Sequence, residues 1–201
     1  MTIIAAADGS ALGNPGPAGW AWYVGEDCWA AGGWENSTNN RGELTAVLEL
    51  LHATAQAGLA GEELLIQADS QYVINSLTKW IHGWKKRGWR KGDGKPVLND
   101  DLMKQLDAAM RGRKVRFEWV RGHVGHPLNE AADQRARAAA TAYQRGGSVP
   151  TGPGWTRVAG AATEPNMEEA TEREPPRRIA ESDDASSGRA QQAPAATGTL
   201  F

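Results

Sequence analysis

The hydrophobic pattern changes period at Asn40, and that change limits the fold more than any other feature of this 201-residue chain. Downstream, Leu44, Val47, Leu48 and Leu51 fall at i, i+3, i+4 and i+7, one face of an amphipathic helix that runs to about Gly58. Upstream, "TIIAAAD", "GWAWYVG" and "CWAAGGW" read as three strands with short connections, which favours an antiparallel meander. "ELLIQAD" is a fourth strand. Ser70 is a candidate N-cap for a helix carrying Val73, Ile74 and Leu77, and Asn99 for another carrying Leu102, Leu106, Ala109 and Met110. "VRFEWV" places Val115, Phe117 and Trp119 on one side of a fifth strand, and an Ala-rich helix with Pro127 near its start completes the order β-β-β-α-β-α-α-α-β-α. The expected class is α/β: a five-stranded mixed sheet, three strands antiparallel plus two parallel, flanked by helices.

Composition divides the chain in two. Residues 1–145 read as a globular body, whereas 146–201 turn to Pro, Gly, Ala, Ser, Thr and charge and are expected to form a disordered tail. The tail has eight acids against five basic residues, net −3; the body has sixteen against seventeen, net +1. The overall acidity therefore belongs to the tail. A lone Cys28 excludes an intrachain disulfide, and no apolar run approaches the roughly 18 residues needed to span a bilayer. With no basic leader before a long apolar stretch, a cytoplasmic, non-membrane protein is expected.

Four acids carry the chemistry. Asp8 ends the first strand and Asp69 the fourth, so parallel pairing of these strands brings both to one edge of the sheet, where ligand sites gather. Glu43 stands at the margin of the helix face that packs on the sheet, and Asp133, two turns into the last helix, can supply a fourth. Taken singly, each reads more readily as a helix cap or a strand-ending turn residue. Clustered carboxylates repel one another unless cations neutralise them, and oxygen ligands without Cys or His point to Mg²⁺, with Mn²⁺ as a substitute. Two such ions, roughly 3.5–4 Å apart, suit phosphodiester hydrolysis.

The stretches "DGSALGNPGPAGWAW", "TNNRGELTAV", "ADSQYVIN", "WIHGWKKRGW" and "WVRGHVGHPLNEAADQRARAAA" together resemble the bacterial type 1 ribonuclease H family, over about Met1 to Gln144. The resemblance implies a ribonuclease H-like fold and a magnesium-dependent endonuclease. Such an enzyme cleaves the RNA strand of RNA–DNA hybrids to 5′-phosphate and 3′-hydroxyl ends, with little sequence specificity, and removes hybrids during replication and repair. It implies that Asp8, Glu43, Asp69 and Asp133 bind two metal ions as the catalytic acids, and that His123 assists proton movement and product release. By the same resemblance Asn14, Asn40 and Gln71 line the minor groove, and Asn14, Thr38 and Arg41 hold a DNA phosphate. Asn14 and Thr38 also have plain readings, as a turn residue and a strand end. Gly42 departs from the family, which usually has a larger residue there, and is expected to loosen the first helical turn or accommodate a cap.

"TKWIHGWKKRGWRKGDGK" holds seven Lys or Arg residues, one acid and three tryptophans. Trp80, Trp84 and Trp89 can bury indole faces while Lys85, Lys86, Arg87, Arg90 and Lys91 project outward, which resembles the family's basic protrusion that grips the nucleic-acid backbone. The terminal "TGTLF" weakly resembles peptides that dock on the replicative sliding clamp, but lacks their leading glutamine. The leading expectation is a monomeric hydrolase acting on RNA–DNA hybrids. A non-catalytic hybrid- or double-stranded-RNA-binding module is the alternative, and a reverse transcriptase or integrase-like setting a third.

Overall fold

The computed structural model describes residues 1–122 and 124–157. Five strands, β1 (Thr2–Ala11), β2 (Gly16–Gly25), β3 (Cys28–Ser37), β4 (Glu63–Ala68) and β5 (Lys114–Trp119), form one sheet in the order β3-β2-β1-β4-β5. β1, β2 and β3 run antiparallel, while β1–β4 and β4–β5 are parallel. The helices are α1 (Asn39–Gln56), α2 (Gln71–Asn75), α3 (Ile81–Lys86), α4 (Asp100–Met110) and α5 (Pro127–Arg145), with a π-helical turn, Ser76–Trp80, between α2 and α3. This is the α/β mixed sheet expected from the pattern.

Alternation along β1 sends side chains to two different layers. Ile3, Ala5 and Ala7 join Leu44, Val47, Leu51, Leu64 and Ile66 in the main core, against α1. Ala6 packs with Tyr23 and Ala132, and Ala21 and Ala31 pack with Ala136 and Ala139, so α5 covers the opposite face. That second layer is built of small residues and is correspondingly thin: a Cβ at Gly19 would collide with the Ala136 carbonyl oxygen.

Side-chain caps start two of the five α-helices, α1 and α2. The Thr38 hydroxyl accepts from the Arg41 N–H (3.3 Å) and the Ser70 hydroxyl from the Val73 N–H (3.3 Å). Asn99 differs from expectation. It precedes α4 with a left-handed φ of 54°, its side chain makes no cap hydrogen bond, and its Oδ1 accepts from the Arg41 guanidinium at 3.4 Å instead. Capping side chains reach the helix amides from extended backbone, which Asn99 lacks. The fifth strand also departs in part: Val115 and Phe117 pack on the core, but Trp119 is 50% exposed.

The border placed after residue 145 moves. Gly146 caps α5 at φ 64°, and residues 147–157 return along β3, where Ala31 N–H donates to Thr151 O (3.1 Å) and Gly154 N–H to Trp29 O (3.0 Å). Trp155 packs against Trp22 with ring centroids 6.0 Å apart and planes tilted by 41°, and the Arg157 guanidinium donates to Val24 O (3.4 Å). One indole in a polar stretch is enough to anchor it, and the contact covers the open edge of β3. Residues 158–201, including Thr197–Phe201 proposed for a clamp contact, lie outside the described residues. Among the described residues no helix is long and apolar enough to cross a membrane.

Because Trp155 is half-buried against Trp22, Trp155→Ala in the full chain is expected to lower unfolding free energy by about 1–2 kcal/mol in urea titration, somewhat less than a fully buried aromatic. An unchanged midpoint would show that the returning segment contributes nothing to the domain.

Candidate active site

The β1–β4 register pairs Ala6 with Gln67, so two residues further on Asp8 and Asp69 lie side by side past the ladder and point to the same face. α1 brings Glu43 to them over Gly9. An added Cβ at Gly9 would run into the Glu43 amide nitrogen and stand 2.6 Å from Gly42 C and 2.9 Å from Glu43 Cγ, so the glutamate occupies space that any other residue at position 9 would fill. Gly42 is the matching half of this contact. It is buried, and its own Cβ would lie 2.7 Å from Gly19 O and 3.2 Å from Gly9 Cα. The loosening expected of Gly42 is therefore replaced by close packing.

One oxygen each from Asp8, Glu43 and Asp69 falls within 4.8 Å of the others, in a geometry that could hold a cation. With Asp133 from α5 they line a cleft of about 230 Å³ that Gly9, Ser10, Asn39 and Arg137 complete. Gly9 N–H donates to Asp8 Oδ1 (2.7 Å), and Asn39 Nδ2 donates to Glu43 Oε1 (3.0 Å). Asn39 was not singled out in the sequence, although its place four residues before Glu43 on the same helical face was the available signal. Arg137, four residues after Asp133, follows the same spacing.

The site is electrostatically loaded. Asp8 is only 3% exposed and Glu43 6%. Burial first, then the Asp69 charge, pushes the Asp8 carboxyl up to about 8, with Asp133 adding to the rise and the Gly9 amide opposing it. Burial, then Asp8 and Asp69, likewise hold Glu43 well above the usual glutamate range, against the opposing Asn39 hydrogen bond. Such a cluster retains protons at neutral pH unless a cation replaces them. The all-oxygen donors match hard divalent ions such as Mg²⁺.

Candidate substrate-binding residues are more dispersed. The Asn14 side chain accepts from the Asn39 N–H (3.3 Å) and Thr38 caps α1. Arg41 forms a two-point pair with Asp101 (2.6 and 3.1 Å), so its guanidinium is already engaged. Asn40 and Gln71 are exposed at the starts of α1 and α2. In the basic segment Trp84 is buried and Trp89 packs on the core with Lys104 Nζ 5.8 Å from its ring, while Trp80 is 43% exposed. Lys85 pairs with Asp107 (2.7 Å), and Arg87 and Arg90 donate to the Arg90 and Gly94 carbonyls. Lys86 is exposed and Lys91 half-buried. His123 lies outside the described residues.

The family model for RNase H matches residues 2–141. A curated ribonuclease H of Tropheryma whipplei (strain Twist) is 56% identical over 154 residues, covering 77% of this chain and 94% of that protein. The ribonuclease H of Escherichia coli (strain K12 / DH10B) is 48% identical over 136 residues, 66% of this chain and 85% of that one. Among solved structures, LC9-RNase H1, a type 1 RNase H with the type 2 active-site motif, superposes with a TM-score of 0.61 at 29% identity, covering 80% of this chain and 79% of its own.

Two outcomes test the geometry. An acid whose folded pKa is raised stabilises the fold fully below its unfolded pKa and loses that contribution as pH climbs through the folded value. With Asp8 at 3.8 unfolded and about 8 folded, urea unfolding in a chelator should show stability falling between about pH 4 and 8, and Asp8→Asn should flatten that slope. Gly9→Ala should cost about 1–3 kcal/mol through overpacking against Glu43, read by the same titration; a neutral effect would show that α1 yields without strain.

Proposed function

The chain belongs to the bacterial type 1 ribonuclease H family, and from that premise we propose that it hydrolyses the RNA strand of RNA–DNA hybrids by two-metal-ion catalysis. The proposed products are 5′-phosphate and 3′-hydroxyl ends, with little sequence preference, in the removal of hybrids during replication and repair. The observation that carries the reading is the convergence of Asp8, Glu43 and Asp69 oxygens within 4.8 Å beside Asp133. A module that only bound nucleic acid would gain nothing from burying mutually repelling acids. This favours the enzyme over the non-catalytic alternative.

Asp8, Glu43, Asp69 and Asp133 would hold Mg²⁺, or Mn²⁺ in its place. Bound there, the ions supply neutralisation of the acids, activation of a water and stabilisation of the leaving oxygen. The protein does the positioning. β1 and β4 fix Asp8 and Asp69 side by side, the Gly9 amide orients Asp8, and Asn39 orients Glu43. Asp8 and Glu43, both raised, give up protons on loading. His123, from its place in the sequence "RGHVGH", is proposed for the proton-transfer and product-release role.

The hybrid is proposed to lie along the basic segment. Lys86 and Lys91 are the ammonium groups suited to phosphates, and exposed Trp80 supplies a face for stacking. Asn14, Thr38, Asn40 and Gln71 remain the proposed minor-groove and phosphate contacts, and Arg41 would have to exchange Asp101 for phosphate to join them. All four acids come from one chain, which supports action as a monomer. The single, buried, free Cys28 supports a cytoplasmic setting.

A labelled hybrid, a DNA duplex and an RNA duplex incubated with Mg²⁺ test the reading. Wild type should cut the RNA of the hybrid alone, and Asp69→Asn should lower kcat by at least about 10²–10³-fold, the range for losing one electrostatic stabiliser, while leaving the fold intact. Equal cutting of all three duplexes, or an undiminished mutant, would overturn it.

A further inference from the structure

Asp69 stands where regular backbone runs out. The parallel ladder closes with the Val120 N–H on Ala68 O (3.1 Å), and α2, capped by Ser70, begins at Gln71. Neither element holds the Asp69 peptide itself. The Trp119 indole does: its Nε1–H donates to Asp69 O at 3.0 Å. Trp119 is 50% exposed, whereas Val115 and Phe117 before it on β5 pack against the core. A large aromatic left half in water at a strand end is poorly explained by burial, and the hydrogen bond to Asp69 is its specific contact.

A second contact comes from the loop after β5. Gly122 passes so near Asp69 that an added Cβ would overlap Oδ2 and stand 3.3 Å from Cγ and 3.5 Å from Cβ. Gly122 is absent from the positive-φ glycines, so its backbone accepts alanine, and the methyl group would be accommodated by displacing the Asp69 carboxylate. The two contacts act on different parts of one residue. The indole fixes the peptide plane from which the side chain departs, and the bare Gly122 Cα bounds the volume in which the carboxylate sits.

We propose that Trp119 and Gly122 are positioning residues that fix the Asp69 carboxylate in the geometry needed to bind the divalent cation. The proposal rests on the metal-dependent reading above. Neither residue is a ligand; both act through Asp69, as groups that orient ligands commonly do.

The test is Mn²⁺ binding to the full-length protein without nucleic acid, followed by electron paramagnetic resonance or calorimetry, for wild type, Trp119→Phe and Gly122→Ala. Phenylalanine keeps an aromatic ring at the strand end while removing the Nε1–H donor together with the five-membered part of the indole. Trp119→Phe is expected to weaken Mn²⁺ about tenfold and Gly122→Ala about 10–100-fold, the range for removing groups that orient ligands. In hybrid cleavage kcat at fixed Mg²⁺ should fall and recover partly at higher Mg²⁺, with KM for the hybrid little changed. If Gly122→Ala does not fold, Trp119→Phe decides alone. Wild-type Mn²⁺ affinity in the folded variants overturns this proposal alone, and so does a rise in hybrid KM with unaltered metal binding. A wild-type protein that binds no Mn²⁺ overturns the metal-site reading and this proposal with it.

Discussion

The contact between Gly9 and the Gly42–Glu43 peptide is the constraint on which the site depends. Because neither glycine has a Cβ, the first turns of α1 rest on the backbone of β1 and β2. Glu43 then crosses from the main-core side of the sheet to Asp8, which does not end β1 as the sequence suggested: the antiparallel ladder with β2 continues to Ala11, and Asp8 stands two residues past the last β1–β4 pair. The same device recurs on the opposite face, where Gly19 and the alanines of β2 and β3 let α5 lie against the sheet and deliver Asp133. Side chains of ordinary size at these crossings would hold the helices further out, and four short acids would no longer reach one another.

Such convergence is unfavourable for an isolated protein. Asp8 and Glu43 are buried, the neighbouring carboxylates oppose their ionisation, and among the described residues the Gly9 amide offsets this at Asp8 and the Asn39 side chain at Glu43. A cation changes the sign of the arrangement, since the charges that repel one another attract it. The cleft is thus unfavourable empty and favourable filled, as a site tuned for hard divalent ions should be.

The sheet and its helices were legible because their signals are largely periodic: the alternation of Val115 and Phe117 in β5, the i, i+3, i+4, i+7 face of α1, and a Ser70 cap that the structure retains. Asp8 and Asp69 were legible as a pair because parallel register is enough to bring them together, although only Asp69 follows the end of its strand and β1 continues from Asp8 to Ala11. Gly42 was misread because a glycine in a helix looks like a weakness until the backbone opposite it is known. The packed residues 147–157 were hidden for a related reason. Their composition is that of a linker, and one Trp155 resting on Trp22 outweighs it. Trp119 likewise continued an alternating pattern whose last position lies beyond the core, where its indole has a polar rather than an apolar role.

The central claim is that Asp8 and Glu43 hold protons until a divalent cation displaces them. Calorimetric titration with Mn²⁺ near neutral pH, in buffers of different ionisation enthalpy, measures this directly by counting protons released per site. With Asp8 raised to about 8 and Glu43 well above its usual range, binding should release about one to two protons, and the number should decline as the pH rises past the Asp8 value. Binding with no release of protons would contradict the account.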